Sequence, residues 1–436
     1  MRITNSMIMG QYANQLNQNV ERVSDDTQKL SSGQMYSRAS QDPVDAAEMI
    51  AANGQLNTIE RYQKNITNTQ AWLTDTESTV NKTYYSILQS ANTTLNAAAN
   101  SGTDSSVNNS TLATNLQYDQ TEILSALNST SSTGQYVFGG SASGNPPFKA
   151  GSESDYTAYS NYVTAYKNVY ETAYNGTTGT AADKQSAAEA AITADSADGS
   201  TALGAASSAL TVAPVVDVTI DGSGNATVSA ALSESDIEGK LLYQTPGTGK
   251  YIPVAKINDS AQTSSTTVND LAYYSTENSA MTRSYPVDLG YGTQMDSSGN
   301  VAAGTAFEAS TDPLSFLLQN VTASGSQNVY DNFGATATAL NNDDTSTVSA
   351  SQTLNTQSMD AASLTNAVLG AKQNMLTFLS NKYSADNTNA TQRLSNVEDV
   401  DTTTAYTQYS LHLMAYQATL AISNSILQNN LTEYLK

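Results

Sequence analysis

Residues 59–87, IERYQKNITNTQAWLTDTESTVNKTYYSI, give the clearest indication of the fold class of this chain. Apolar residues recur in it at intervals of seven, at Ile59, Ile66, Leu73, Val80 and Ile87. A strict seven-residue repeat predicts a helix that supercoils in a left-handed sense around a partner helix. Asp42 can cap this helix and Pro43 suits its first position. We therefore expect a helix that runs from residue 43 to about residue 100.

Both ends of the chain carry apolar stripes at helical spacing. The N-terminal stripe consists of Leu16, Val20, Val23 and Leu30. The C-terminal stripe consists of Tyr406, Leu413, Leu420, Leu427 and Tyr434. A lone amphipathic helix leaves its stripe in water, so the two ends either pair with each other or pair with neighbouring subunits. We predict that these two stripes form an assembly interface.

A further helical pattern precedes the C-terminal stripe. Its apolar residues, spaced to lie on one face of a helix, are Leu364, Val368, Met375 and Phe378. We predict that they pack with the seven-residue repeat of residues 59–87 in a helical rod, because a helix buries its apolar stripe against another helix.

The middle of the chain has a different composition. Residues 151–350 hold 6 Lys and Arg, 22 Asp and Glu, and 16 of the 25 glycines. Two segments, 215–230 and 241–257, have turn residues between apolar runs and are hairpin candidates. Tyrosines between Tyr156 and Tyr170 recur at helical spacing, which predicts a short helix with a tyrosine-lined core face. The Ala/Ser/Thr-rich segment 176–210 has no pattern that assigns a structure.

These patterns predict a mainly α fold. A long antiparallel helical bundle or coiled coil is formed by the N-terminal and C-terminal segments, with a β-rich (α+β) domain inserted in the middle. The predicted divisions are an N-terminal assembly helix (1–40), two parts of a helical rod (41–150 and 351–400), the inserted domain (151–350) and a C-terminal assembly helix (401–436).

Composition excludes much of enzyme chemistry. The chain has no cysteine and a single histidine, His412, so thiol nucleophiles, zinc–thiolate sites and paired imidazoles are absent. We expect no catalytic, cofactor-binding or metal-binding residues, and we interpret His412 as a helix-flank or subunit-contact residue. The net charge of −22 argues against nucleic acid as a partner, and no apolar run approaches the length of a membrane span. Carboxylate-pair chemistry in the acidic middle stays open.

Several motifs follow one another in an order that resembles the bacterial flagellin superfamily. They are MRIT at 1–4, KLSSG at 29–33, SQDPVDAAEM at 40–49, QYVFGG at 135–140, and the closing stretch from Asn396. Gln41 departs from the acid usual in this superfamily. The Asp-Pro-Val and Tyr-Val-Phe-Gly-Gly elements favour the hook-associated junction proteins over filament flagellin. Together the two ends that carry the resemblance span about 235 residues.

The resemblance implies a structural role. The chain would be a subunit of the bacterial flagellum at the junction between hook and filament, assembled into a ring-like homo-oligomer by coaxial packing of its terminal helices. Implied partners are a second hook-associated junction protein, filament flagellin and an export chaperone. The implied location is extracellular, after type III export without a cleaved signal peptide. Two alternatives stay open: filament flagellin, and an exported axial scaffold that displays a ligand-binding or enzymatic insert.

Overall fold

The computed structural model describes residues 5–36, 40–100, 106–140, 145–245, 249–257, 285–294, 301–302, 304–322 and 325–434. Over these residues the chain is mainly α-helical with small antiparallel sheets, which confirms the predicted fold class. It divides into two compact units, Met1–Lys64 with Phe378–Lys436, and Asn65–Thr377. The finer five-part division stays a prediction. None of the described helices combines the length and apolar character needed to cross a membrane.

The helices and strands are numbered here in chain order. The helices are α1 (Asn5–Ser32), α2 (Pro43–Glu77), α3 (Tyr85–Asn100), α4 (Ser106–Leu127), α5 (Glu153–Gly176), α6 (Ala181–Ala197), α7 (Ala202–Ala209), α8 (Glu234–Ile237), α9 (Leu314–Leu317), α10 (Val329–Asn341), α11 (Val348–Glu398) and α12 (Thr402–Tyr434). The strands are β1 (Phe148–Ala150), β2 (Val216–Ile220), β3 (Ala226–Ala230), β4 (Leu241–Gln244), β5 (Tyr251–Pro253), β6 (Pro286–Val287), β7 (Phe307–Glu308), β8 (Gln319–Thr322) and β9 (Gly325–Gln327).

Helix α2 begins at Pro43, as the sequence predicts. The Asp42 carboxylate accepts hydrogen bonds from the backbone N–H groups of Val44, at 2.9 Å, and Asp45, at 3.2 Å. These are two of the N–H groups that a helix start leaves without an intrahelical partner, so Asp42 acts as the N-cap. The end of α1 is equally well defined, because Gly33 adopts a φ of 72° that favours glycine at a helix C-terminus.

The seven-residue repeat of residues 59–87 lies on a buried face. Ile59, Ile66, Leu73, Val80 and Ile87 are all at most 6% exposed. The helix is not α-helical throughout, however, because a π-helical segment, Ser78–Tyr84, separates α2 from α3. At its end the backbone N–H of Tyr85 bonds to the carbonyl of Val80, five residues earlier. This wider turn rotates α3 relative to α2 about the helix axis. The seven-residue spacing of the sequence does not reveal such a change.

Helix α11 packs on a different stripe from the predicted one. Leu364, Val368, Met375 and Phe378 are 68%, 50%, 40% and 63% exposed, and so are not buried by the described part of the chain. The buried face instead carries a second seven-residue repeat: Asn355, Ala362, Leu369, Leu376, Tyr383 and Ala390. Asn355, Ala362 and Ala390 interrupt the large apolar residues of this repeat, whereas the exposed stripe is apolar at every position. For this reason the hydrophobic pattern identifies the wrong side of the helix.

The second unit has a core shared between the rod helices and the end of the middle segment. The ring of Phe316, on α9, lies 5.0 Å from the ring of Tyr84 and 5.6 Å from that of Phe138. Helix α10 packs along α4, and its Phe333 is fully buried. Residues near the end of the predicted 151–350 insert therefore contribute to the core around the rod helices α3 and α4.

The remaining middle segment forms a module around the tyrosines of α5, here called the tyrosine module (residues 153–251). Tyr159, Tyr162, Tyr166 and Tyr170 are buried, as predicted for a core face, and Tyr156 packs partly buried beside them. Both predicted hairpins are present: β2 pairs with β3, and β4 pairs with β5, each antiparallel. Strand β1 adds to β4 on the other edge. The segment without a sequence assignment forms α6 and α7, so this module holds more helix than the predicted β-rich domain.

Tyr159 connects the tyrosine helix to the hairpin. Its buried hydroxyl donates to the carbonyl of Val215 at 2.5 Å and accepts from the N–H groups of Ala231, at 3.0 Å, and Leu232, at 3.1 Å. Tyr159→Phe should reduce the free energy of unfolding by about 2 kcal/mol, because the buried N–H of Leu232 and the half-buried N–H of Ala231 lose this acceptor. Urea denaturation measures this. Tyr166→Phe is the matched control: its buried hydroxyl has no hydrogen-bond partner among the described residues, so its loss should be neutral or stabilising. Equal losses for the two variants would contradict the assignment.

Asp119, on α4, is a buried carboxyl group only 6% exposed. Burial raises its pKa to about 6, partly offset by a hydrogen bond with Ser90. The folded state therefore holds this proton more tightly than the unfolded state, and this group's contribution to stability falls as pH rises from about 4 to about 6.

Asp119→Asn should raise the free energy of unfolding by about 1–2 kcal/mol at pH 7.5 and by much less at pH 4.5. Thermal unfolding at the two pH values measures the difference. Glu60→Gln, at an exposed position of α2, should show no such pH-dependent gain. A pH-independent effect of Asp119→Asn would show that this carboxyl group is ionised in the folded chain at both pH values.

Candidate assembly surface

The two terminal helices, α1 and α12, pair with each other in the first unit. The Tyr12 hydroxyl donates to the carbonyl of Thr419 near one end of the pair. At the other end the N–H of Val400 donates to the carbonyl of Gly33 at 2.9 Å. Residue numbers rise along α1 as they fall along α12, so the helices are antiparallel. Of the two arrangements left open by the sequence, the structure contains pairing of the chain's own ends.

Polar side chains occupy buried positions of the α1–α12 seam. Asn19, 5% exposed, donates from Nδ2 to Thr419 Oγ1 at 2.8 Å. Asp26, also 5% exposed, accepts from Nδ1 of His412 at 2.6 Å. Buried polar groups are costly unless they are paired, so these two contacts stabilise one register of the helices over slipped ones. His412 therefore has a partner within its own chain, whereas the sequence suggested a helix-flank or subunit-contact residue.

The predicted N-terminal stripe lies at this seam. Leu16, Val23 and Leu30 are half-buried on the face of α1 that also carries Asn19 and Asp26. Val20 lies off this face and is 47% exposed. Three of the four residues predicted for an assembly interface thus share the face that pairs with α12 in the same chain, and Val20 is left at its edge.

The predicted C-terminal stripe flanks the seam rather than lying in it. Tyr406 is 65% exposed, Leu420 is 40% exposed, and Leu413 is half-buried. The side chains of Leu427 and Tyr434 lie outside the described residues. The residues of α12 that contact α1, including His412 and Thr419, occupy the neighbouring face. The described part of the predicted stripe is therefore largely open to solvent.

A second apolar stripe on α12, which the sequence analysis missed, lies on the opposite side of the helix. It consists of Leu411, Met414, Ala418 and Ile422, and is here called the outer stripe. Leu411, Met414 and Ile422 are 58%, 60% and 54% exposed, and Ala418 is also exposed. Spacings of three, four and four residues place them on one helical face. The signal was present in the sequence, but the exact seven-residue repeat beside it is the stronger pattern.

The acidic residues near the start of α12 have structural roles. The Asp401 carboxylate accepts from the N–H groups of Thr403, at 2.9 Å, and Thr404, at 3.3 Å, and so caps the helix. Hydrogen bonding from Thr404 lowers the pKa of Asp401, as expected for a capping carboxylate. In the part of the chain that the structure describes, no group of three or more His, Asp or Glu side chains is arranged to hold a metal ion.

Comparison with known proteins gives a weak likeness. No protein-family model matches the sequence, and no curated protein matches it. A solved structure from Vibrio parahaemolyticus, provisionally described as a flagellar hook-associated protein, superposes with a TM-score of 0.45 at 12% identity. The alignment covers 82% of this chain and all of the other. At this level of superposition and identity, the likeness does not establish the fold or the function of this chain.

Asp26 provides a test of the seam. Asp26→Ala removes the buried acceptor of His412, and we expect amide exchange along α1 to accelerate about tenfold, which corresponds to about 1.4 kcal/mol of lost protection. Hydrogen exchange followed by mass spectrometry measures this in the isolated protein. Asp25→Ala changes an exposed carboxylate one residue away and should leave exchange unchanged. Unaltered exchange in Asp26→Ala would show that the pair does not hold α1 in place.

Proposed function

We propose that this chain is a structural subunit of the bacterial flagellum that joins hook and filament by packing its terminal helices against other subunits. The observation that carries the proposal is the outer stripe of α12, whose Leu411, Met414 and Ile422 are each more than half exposed. Helix α1 covers a different face of α12, so it leaves this stripe open. The order of sequence motifs, which resembles that of the flagellin superfamily, is the second support for the proposal.

Exposed apolar stripes of this length favour association. Scattered apolar residues are ordinary on a protein surface, but contiguous ones mark interaction sites. Burial is worth about 25 cal/mol for each Å² of apolar surface removed from water. The outer stripe and the flanking Tyr406–Leu420 stripe lie on different faces of α12. One helix pair can therefore contact two neighbours, as a ring or tube of subunits requires.

The exposed stripe of α11 supports the same proposal. Leu364, Val368, Met375 and Phe378 have the alternating spacing of a coiled-coil seam, yet none of the described helices covers them. We propose that they pack against a second copy in the assembly. In this way the residues predicted for rod packing have a role between subunits rather than within one.

The remaining elements of the proposal follow from assembly. Partners are further copies in a ring-like homo-oligomer, a second hook-associated junction protein and filament flagellin. An export chaperone would cover the apolar stripes before secretion without a cleaved signal peptide, and the assembled protein would be extracellular. We propose no catalytic role, no nucleic-acid partner and no membrane insertion. The one histidine is engaged by Asp26, and the chain has no cysteine.

A charge placed in the outer stripe tests the proposal. Met414→Asp should leave the melting curve of the monomer within about 0.5 kcal/mol of wild type, because Met414 is 60% exposed. In an assembled apolar contact the same charge should cost several kcal/mol, enough to abolish the junction. Cells that carry this variant as their only copy should secrete the subunit, lack attached filaments and lose motility.

The control is Met414→Leu, which changes the same side chain but keeps it apolar. This variant should keep motility. Normal motility of Met414→Asp would refute the role of the outer stripe.

Immuno-electron microscopy of wild-type cells separates the two flagellar positions: labelling confined to the base of the filament fits a junction protein, and labelling along its length fits flagellin.

A further inference from the structure

The second unit contains a pocket that the assembly proposal does not use. It has a volume of about 480 Å³ and lies between α2, the loop after α4 and strand β6. The side chains that define it are Asn65, Asn68, Trp72, Asp75, Gln135 and Tyr285. Its size is within the range of small-molecule sites, about 300–1,000 Å³.

Hydrogen bonds hold the walls of this pocket together. Asn65 donates from Nδ2 to the carbonyl of Asp288 at 2.9 Å, which joins α2 to the end of β6. The N–H of Tyr285 donates to Glu308 Oε1 at 2.7 Å, which joins the same wall to β7. On the opposite side Asp75 Oδ2 accepts from the N–H of Ser132 at 2.9 Å. The pocket is therefore formed before any ligand arrives, which lowers the cost of binding.

Aromatic rings form one side of the pocket. The rings of Trp72 and Tyr285 lie 5.6 Å apart with an interplanar angle of 42°. Trp72 is 6% exposed and forms the base of this pair, whereas Tyr285 is 37% exposed and presents its ring to the solvent-filled space. Such a ring offers an apolar surface to a ligand that has one apolar face.

Amide and carboxylate groups complete the lining. Asn68 and Gln135 are exposed side chains, each with both donors and acceptors, and Asp75 adds carboxylate oxygen. The described lining residues include no lysine or arginine, so they offer no charge that would bind an anion. Amide and carboxylate groups can form hydrogen bonds with hydroxyl groups, and an aromatic ring can contact an apolar ring face. The lining therefore matches a ligand whose hydroxyl groups surround an apolar ring face.

We infer that this pocket binds a neutral saccharide. The apolar face of one sugar ring would lie against Tyr285, and its hydroxyl groups would exchange hydrogen bonds with Asn68, Gln135 and Asp75. The inference is independent of the proposed function, because the pocket lies in the second unit and uses none of the apolar stripes. A ligand of this size with few contacts should bind in the low millimolar range.

Trp72 makes the test direct, because it is the chain's only tryptophan. The full chain is titrated with glucose, galactose, N-acetylglucosamine and lactose, each to 100 mM. Tryptophan fluorescence and the single indole N–H cross-peak of the ¹⁵N-labelled protein are followed. We expect a saturable change in both signals with at least one of these sugars. Asn68→Ala should weaken that binding about fivefold or more, and Asn57→Ala, the same change at an exposed position of α2 outside the pocket, should not.

Each of the following three results would overturn the inference. No saturable change with any of the four sugars would mean that the pocket does not bind saccharides. A change of equal affinity in Asn68→Ala and wild type would place the binding elsewhere. Saturation with n-butylammonium but with no sugar would assign the aromatic–carboxylate lining to a cation. Gln135→Ala serves as the second pocket variant if circular dichroism shows that Asn68→Ala is not folded.

Discussion

The long helices carry more apolar surface than the described part of the chain covers, and this excess explains how the helices are arranged. Helix α12 has a seam face against α1 and two further apolar stripes, and α11 buries one face while exposing another. A monomer that minimised its exposed apolar area would have polar residues at Leu364, Met414 and Ile422. Their exposure is one reason for the assembly that we propose.

The sequence predicted those parts of the fold in which hydrophobicity and packing coincide. The heptad from Ile59 to Ile87 is buried, and both hairpins occur where turn residues interrupt apolar runs. Prediction failed on α11, because Asn355 and Ala362 interrupt the apolar repeat of its packed face, whereas the exposed stripe is apolar at every position. It also failed on the π-helical segment, since a change from four-residue to five-residue hydrogen bonding leaves no mark on heptad spacing.

The sequence predicted apolar helical faces at the two ends of the chain, but it did not predict which face of α12 packs against α1. Apolar residues at both termini indicated amphipathic helices, and α1 and α12 do pair, but several faces of α12 carry apolar residues. Which face pairs within the chain depends on polar contacts such as Asp26 with His412, and these are separated by 386 residues. The same limit applies to the pocket, whose Trp72 and Tyr285 come together only through the fold.

The polar seam and the apolar stripes have complementary roles. Apolar contacts are tolerant of sliding, because one heptad resembles the next, whereas a buried carboxylate or amide has few acceptable positions. Asn19 with Thr419 and Asp26 with His412 lie seven residues apart on both helices, so a slip of one heptad would leave at least one buried group without its partner. These intrachain contacts thus determine where Leu411, Met414 and Ile422 stand relative to α1. The position of the proposed assembly surface therefore depends on polar residues that lie in the seam and outside the outer stripe.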